Sequence, residues 1–181
     1  VRDLRVRWAL EELGLAYEVR LLDARLDRPA DYLEEQPFGQ VPSYRDEAVH
    51  LFESGAILLH IGERDAKLLP RDPQGKARAT AWVCAALNSV EPSITQLIAV
   101  DMADADWAKE RRPAVFEMVR KRLGQLSQAL GEREWLEGSF SVGDIMMVTV
   151  LRMLRHSDLV AEYPNLAAYQ ARGEARPAFQ R

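Results

Sequence analysis

The sequence predicts a small α/β unit followed by an all-α helical bundle. Three observations carry that expectation. Strand-like stretches occur only before Arg64, a polar segment with Pro70, Pro73 and Gly75 follows, and from Ala77 onward the apolar spacing is helical. The boundaries that result are residues 1–66 for the α/β unit and 75–181 for the all-α domain.

In chain order, Asp3 can cap a helix whose Val6, Ala9, Leu10 and Leu13 share one face, and Gly14 sits where a left-handed C-terminal residue belongs. Tyr17, Val19 and Leu21 alternate with Glu18 and Arg20, the period of a half-buried strand. A polar connection from Arg25 to Ala30 leads to a short helical piece around Tyr32 and Leu33 that must stop near Pro37. Val41–Tyr44 and Val49–Phe52 read as two short strands around Arg45-Asp46-Glu47. Ser54 is placed to cap a helix with the apolar stripe Ile57, Leu58 and Ile61.

Beyond the linker, Ala77 to about Met102 is one helical run that Pro92 should bend or break. Pro113 to Leu130 carries Val115, Val119, Leu123, Leu126 and Leu130 on one stripe, and Gly131 ends it. Ser141 to Leu154 leaves almost no polar face, so it reads as the buried core helix of a bundle. Ser141 and Asp144 stand at capping-box spacing, with Phe140 and Ile145 at the staple positions. Pro164-Asn165 opens a last helix that ends near Gly173.

Composition narrows the class. With 181 residues, 48% of them apolar and 29% charged, the chain has an ordinary globular balance and enough length for a sizeable core. A formal charge of -4 argues against nucleic acid as a partner. Cys84 is the sole cysteine, which excludes an internal disulfide framework and a cysteine zinc site, and a cytoplasmic protein fits best. His50, His60 and His156 are too scattered for a metal site. No run of about 18 uninterrupted apolar residues suggests a membrane span. Arg2, Arg5 and Arg7 read most simply as solvated, and Cys84 as a small buried hydrophobe. Cys84, Asn88 and Trp82 could alternatively face a cleft.

Two features point to a ligand. A proline inside a strand-like run, as at Val41-Pro42, marks an edge, a bulge or a cis bond, and a cis bond would turn the Val41 main chain outward for an extended ligand. Glu53-Ser54 opens a helix whose free N–H groups and dipole attract a carboxylate, while Glu53 can accept an ammonium group. Together they suit the zwitterionic end of a small peptide.

The run Pro37-Phe38-Gly39-Gln40-Val41-Pro42, followed by Glu53-Ser54-Gly55-Ala56-Ile57, resembles the cytosolic glutathione S-transferases. Arg7-Trp8-Ala9-Leu10-Glu11-Glu12-Leu13-Gly14 looks like that family's first helix, and Ser141-Val142-Gly143-Asp144 like its capping box. The resemblance implies a thioredoxin-like N-terminal domain and an all-helical C-terminal bundle carrying the electrophile-site wall. It also implies that Val41 pairs its backbone with the cysteinyl part of glutathione, that Gln40 lies beside it, that Pro42 is cis, and that Glu53 and Ser54 hold the γ-glutamyl end. Gln36 departs from the usual Asn, and Gly55 and Gly143 fall where Ala or another small residue is common. The family's thiolate-stabilising Tyr, Ser or Cys precedes its first helix, and no such residue occurs before Tyr17. The chain begins at Val1 without Met, directly in a helical pattern, so a strand and loop of roughly 10–20 residues are expected upstream.

The function implied is activation of the glutathione thiol for attack on a small hydrophobic electrophile, in a cytoplasmic homodimer serving detoxification and needing no metal. Alternatives are a non-catalytic regulatory or protein-binding module of the same fold, or a glutathione-dependent isomerase or dehalogenase.

Overall fold

The computed structural model describes residues 2–23 and 25–181. The chain opens with helix α1 (Arg2–Glu12), whose Arg5, Val6, Trp8, Ala9 and Leu10 are buried. Asp3 therefore sits in the first turn rather than at the cap, where its carboxylate complements the helix dipole. Gly14 closes the helix at φ +63°, and the Leu15 N–H reaches back to the Leu10 carbonyl at 3.0 Å.

Residues 15–23 carry no regular secondary structure, so the strand expected over Tyr17–Leu21 does not form. Alternation supplies only the side-chain period; a strand also needs a neighbour to complete its ladder, and no described segment pairs with this one. Helix α2 (Ala30–Glu35) follows, then the antiparallel strands β1 (Ser43–Arg45) and β2 (His50–Phe52). Their register pairs Ser43 with Phe52, Tyr44 with Leu51 and Arg45 with His50. Helix α3 (Ser54–Gly62) runs directly out of β2 and buries Ile57, Leu58 and Ile61.

The rest is helical: α4 (Pro73–Ala85), α5 (Glu91–Met102), α6 (Asp106–Leu130), α7 (Val142–Leu151) and α8 (Pro164–Glu174). Pro92 does not end the run that contains it. A π-helical turn over Ala86–Val90 lies just ahead of the proline and absorbs the interruption, with the Glu91 N–H bonded to the Ala86 carbonyl. The whole span Pro73–Met102 is thus 30 residues, long and apolar enough by length and composition to cross a membrane, contrary to the reading from sequence. Here 44% of its apolar window is buried inside the fold, where Ala79, Val83, Ala86, Ile94 and Leu97 join the common core, as in a bundle helix.

Helix α6 begins seven residues before the proline expected to open it, and Pro113 lies in its interior. Helix α7 is the centre of the bundle: all of its residues are buried, and it packs on α1, α4 and α8. Its capping box forms as the spacing requires, with Ser141 and Asp144 exchanging bonds across the first turn. Asp144 additionally accepts from the Leu136 N–H and the Tyr169 hydroxyl, both at 2.9 Å. Because α1, α3 and α7 contribute to one continuous apolar cluster, the α/β part and the helical part share a core.

Candidate functional site

The β1–β2 register brings the two singled-out stretches together. Ser43 opposes Phe52, so Pro42 and Glu53 are the next residues along facing strands. The Val41-Pro42 peptide bond is cis, and Val41 lies just outside the ladder with its side chain exposed. Glu53 is exposed and is held at φ +68°, ψ 113°, an arrangement that costs a residue with a Cβ on the order of 1–3 kcal/mol.

That kink turns the chain from β2 straight into α3. Glu53 becomes the N-cap residue and makes no side-chain cap bond, while Ser54, expected as the cap, is the first residue inside the helix. The Glu53 carbonyl takes the Ile57 N–H at 3.0 Å, so the N–H groups of Ser54, Gly55 and Ala56 precede the first intrahelical donor and have no intrahelical acceptor. Donors at a helix start, beside an exposed carboxylate, can hold a carboxylate and an ammonium group of one ligand.

Ser54 is buried, and its Oγ accepts a hydrogen bond of 3.1 Å from Arg5 Nη1. Arg5 is not solvated, as its sequence context suggested, but fully buried. Its Nε donates to Thr149 Oγ1 at 3.1 Å and its Nη2 to Glu91 Oε2 at 2.7 Å. The other Glu91 oxygen holds Arg2 through Nε at 3.2 Å and Nη2 at 3.0 Å, and Arg2 Nη1 donates to Gln40 Oε1 at 2.9 Å. The Gln40 carbonyl accepts from the buried Tyr32 hydroxyl at 2.6 Å. Burial pulls the Arg5 guanidinium down from its ordinary range and Glu91 pulls it back, which leaves a compensated ion pair.

The one signal for Arg5 in the sequence was its position. It stands four residues before Ala9 and three before Trp8, on the apolar face of α1. Glu91 and Thr149 carried no signal, because their partners lie 86 and 144 residues away.

The hairpin is pinned to α3 from its far end. Asp46 accepts from His60 Nε2 at 2.8 Å, from Tyr44 Oη at 3.0 Å, and from the Ala48 and Val49 N–H groups at 2.9 Å. Arg64 adds an ion pair to the same carboxylate. The site thus rests on a braced loop.

A cleft of about 870 Å³ lies between α1, residues 15–22 and β1, with Val41 and Pro42 on its rim; it does not include Glu53 or Ser54. On α4, Cys84 is exposed rather than buried, since Ala79, Val83 and Ala86 occupy the inward stripe. Trp82 is half-buried and donates its ring N–H to Glu137 at 2.8 Å.

Comparison with known proteins converges on one family. Residues 1–63 match the glutathione S-transferase N-terminal domain and residues 93–181 the C-terminal domain. A glutathione S-transferase-like protein of Beauveria bassiana is 30% identical over 190 residues, covering 98% of this chain and 87% of that protein. A glutathione S-transferase of Escherichia coli O157:H7 is 28% identical, with 90% of this chain and 81% of that one covered. Among solved structures, a glutathione transferase from Burkholderia graminis, with two glutathione molecules bound per subunit, superposes with a TM-score of 0.89 at 28% identity. That superposition covers 99% of this chain and 82% of the other.

Proposed function

This chain belongs to the glutathione S-transferase family, and on that premise we propose that it binds glutathione at the hairpin and presents its thiolate to a small hydrophobic electrophile. In this reading Glu53, Ser54 and the first N–H groups of α3 hold the γ-glutamyl end. The Val41 main chain, with cis Pro42 behind it, pairs with the cysteinyl residue, and Gln40 lies alongside. The domain boundaries at residues 66 and 75 go with this reading, and the helical domain supplies the wall of the electrophile site. The thiolate is the nucleophile, so the activation required is a pKa held below the roughly 8.5 of a free thiol.

The observation that carries the proposal is Glu53. A residue with a Cβ at φ +68° persists only where its surroundings impose it. Here the kink sets an exposed carboxylate beside the open donors of α3 and opposite the Val41-Pro42 strand end. A cytoplasmic homodimer acting in detoxification, without a metal, follows from the family and belongs to the same proposal.

Thermal unfolding with glutathione tests it. Glutathione at about 100 times its dissociation constant should stabilise the protein by roughly 2.7 kcal/mol. No shift at millimolar glutathione would overturn the reading. Stabilisation without turnover of any of a panel of electrophiles would instead assign the non-catalytic module.

A further inference from the structure

We infer that Tyr32 and Arg28 are positioning residues that hold two successive carbonyls of the loop before β1 and so aim the Val41 N–H at the carbonyl of the ligand's cysteinyl residue. The inference rests on the glutathione reading and adds to it the two side chains that set the direction of one main-chain donor.

The direction follows from the geometry of the peptide unit, which is planar and, when trans, points its N–H opposite to its C=O. The cis bond of this loop is Val41-Pro42, so the unit joining Gln40 to Val41 is trans. Its carbonyl takes the Tyr32 hydroxyl at 2.6 Å, and Tyr32, on α2, is buried. The N–H of the same unit, that of Val41, therefore faces away from Tyr32. Val41 is exposed and precedes the ladder, and among the described residues no turn, cap or side-chain bond takes its N–H. An N–H can only donate, and the main-chain acceptor of a cysteinyl residue is its carbonyl.

The preceding peptide unit is held in the same way. Arg28 donates from Nε to the Gly39 carbonyl at 2.9 Å and from Nη1 to the Asp23 carbonyl at 3.0 Å. Gly39 has φ +62°, and a Cβ on it would lie 3.3 Å from Arg28 Cγ, so the arginine stem packs closely on the loop. Buried Gln36 fixes the start of the same turn, its Oε1 accepting from the Phe38 N–H at 2.7 Å and its carbonyl from the Gly39 N–H at 2.9 Å. Gln40 thus stands between two pinned peptide planes, which sets the orientation of the Val41 N–H before any ligand arrives. A hydrogen bond to a carbonyl also polarises its peptide unit and makes the N–H of that unit a stronger donor. Tyr32 therefore both aims the donor and strengthens it.

Calorimetric dissociation constants of two ligands test the inference: glutathione, and its analogue with a trans alkene in place of the cysteinyl–glycine amide. The analogue keeps the shape of the peptide but lacks the cysteinyl carbonyl and the glycyl N–H. The unaltered protein should prefer glutathione. Tyr32→Phe, which removes only the hydroxyl, should reduce that preference by about two- to tenfold, the scale of one neutral hydrogen bond, while leaving the affinity of the analogue nearly unchanged. Arg28→Gln should reduce it as well, and it decides the question if Tyr32→Phe does not fold. A merely structural role would weaken both ligands alike. An equal loss for both ligands, an undiminished preference in the folded variant, or no preference in the unaltered protein would overturn the positioning role. Failure of the unaltered protein to bind glutathione would overturn the ligand assignment first, and this inference with it.

Discussion

Arg176, in the segment after α8, holds Glu12 at the end of α1 in a two-point ion pair, Nε to Oε1 at 2.6 Å and Nη2 to Oε2 at 2.8 Å. The guanidinium also lies over the Phe140 ring, 3.8 Å from its centroid. The pair ties the last residues of the chain to its first helix, and Phe179 stacking edge-on to the buried Trp8 at 4.9 Å reinforces the tie.

Arg176→Ala should therefore loosen the joint between the two parts. Glu12 is mostly buried and, among the described residues, would keep only the Trp8 ring N–H as a donor. A loss of about 1–3 kcal/mol is expected, from the two charge-assisted bonds and the cation–π contact. Chemical denaturation would measure it. A loss no greater than about 0.5 kcal/mol, the scale of an unimportant surface change, would count against the joint.

Glu53 separates stability from binding. Glycine adopts positive φ without penalty, so Glu53→Gly should relieve the kink that Glu53→Ala keeps. After allowing for the greater freedom of glycine in the unfolded chain, the Gly variant should be the more stable by about 1 kcal/mol. Both should bind glutathione about tenfold more weakly than the unaltered protein. An Ala variant as stable as the Gly variant would show that the kink carries no strain.

Asp144 is the interior counterpart. Burial pushes its carboxyl up from the ordinary range, opposed by bonds from the Leu136 N–H, the Tyr169 hydroxyl and the N–H and hydroxyl of Ser141. Asp144→Ala would strand the Leu136 and Tyr169 donors in the core, each at roughly 1–3 kcal/mol, and remove half of the capping box. A loss of more than about 3 kcal/mol is expected. Asp144→Asn, which retains one acceptor, should lose less. Equal losses would show that the acceptors do not matter and that the side-chain volume does.

Asp46 sets an acid limit. The His60 ring first, then the Val49 and Ala48 N–H groups, hold its carboxyl well below the usual carboxylate range. A depressed folded-state pKa contributes stability that is fully present above the unfolded value of about 3.9. That contribution is lost as pH falls below it toward the folded value. Unfolding free energies measured between pH 6 and 3 should fall more steeply for the unaltered protein than for Asp46→Asn. Parallel curves would mean that the carboxylate contributes nothing.

Chain-local chemistry was legible without coordinates. The capping box at Ser141–Asp144, the all-apolar face of α7, the Gly14 stop, the hairpin and the helix opening at Glu53-Ser54 each depend on residues within a few positions of one another. Such features carry their own spacing, so the order of elements could be read directly. What failed to read were features that need a distant partner. Residues 17–21 have the alternation of a strand and, among the described residues, no neighbour to pair with; the apolar stripe of α4 turned Cys84 outward; and the π turn ahead of Pro92 is seen only in the structure.

The sequence by itself determined the two-part architecture and the backbone stretch that forms the candidate site, because turn chemistry, periodicity and helix caps are short-range. Tertiary structure alone decided that Arg5 is buried, and that Ser54 and Gln40 hang through two arginines on Glu91. A charged side chain on an apolar face has no meaning until its counter-charge is known, and that counter-charge stands 86 residues further along the chain.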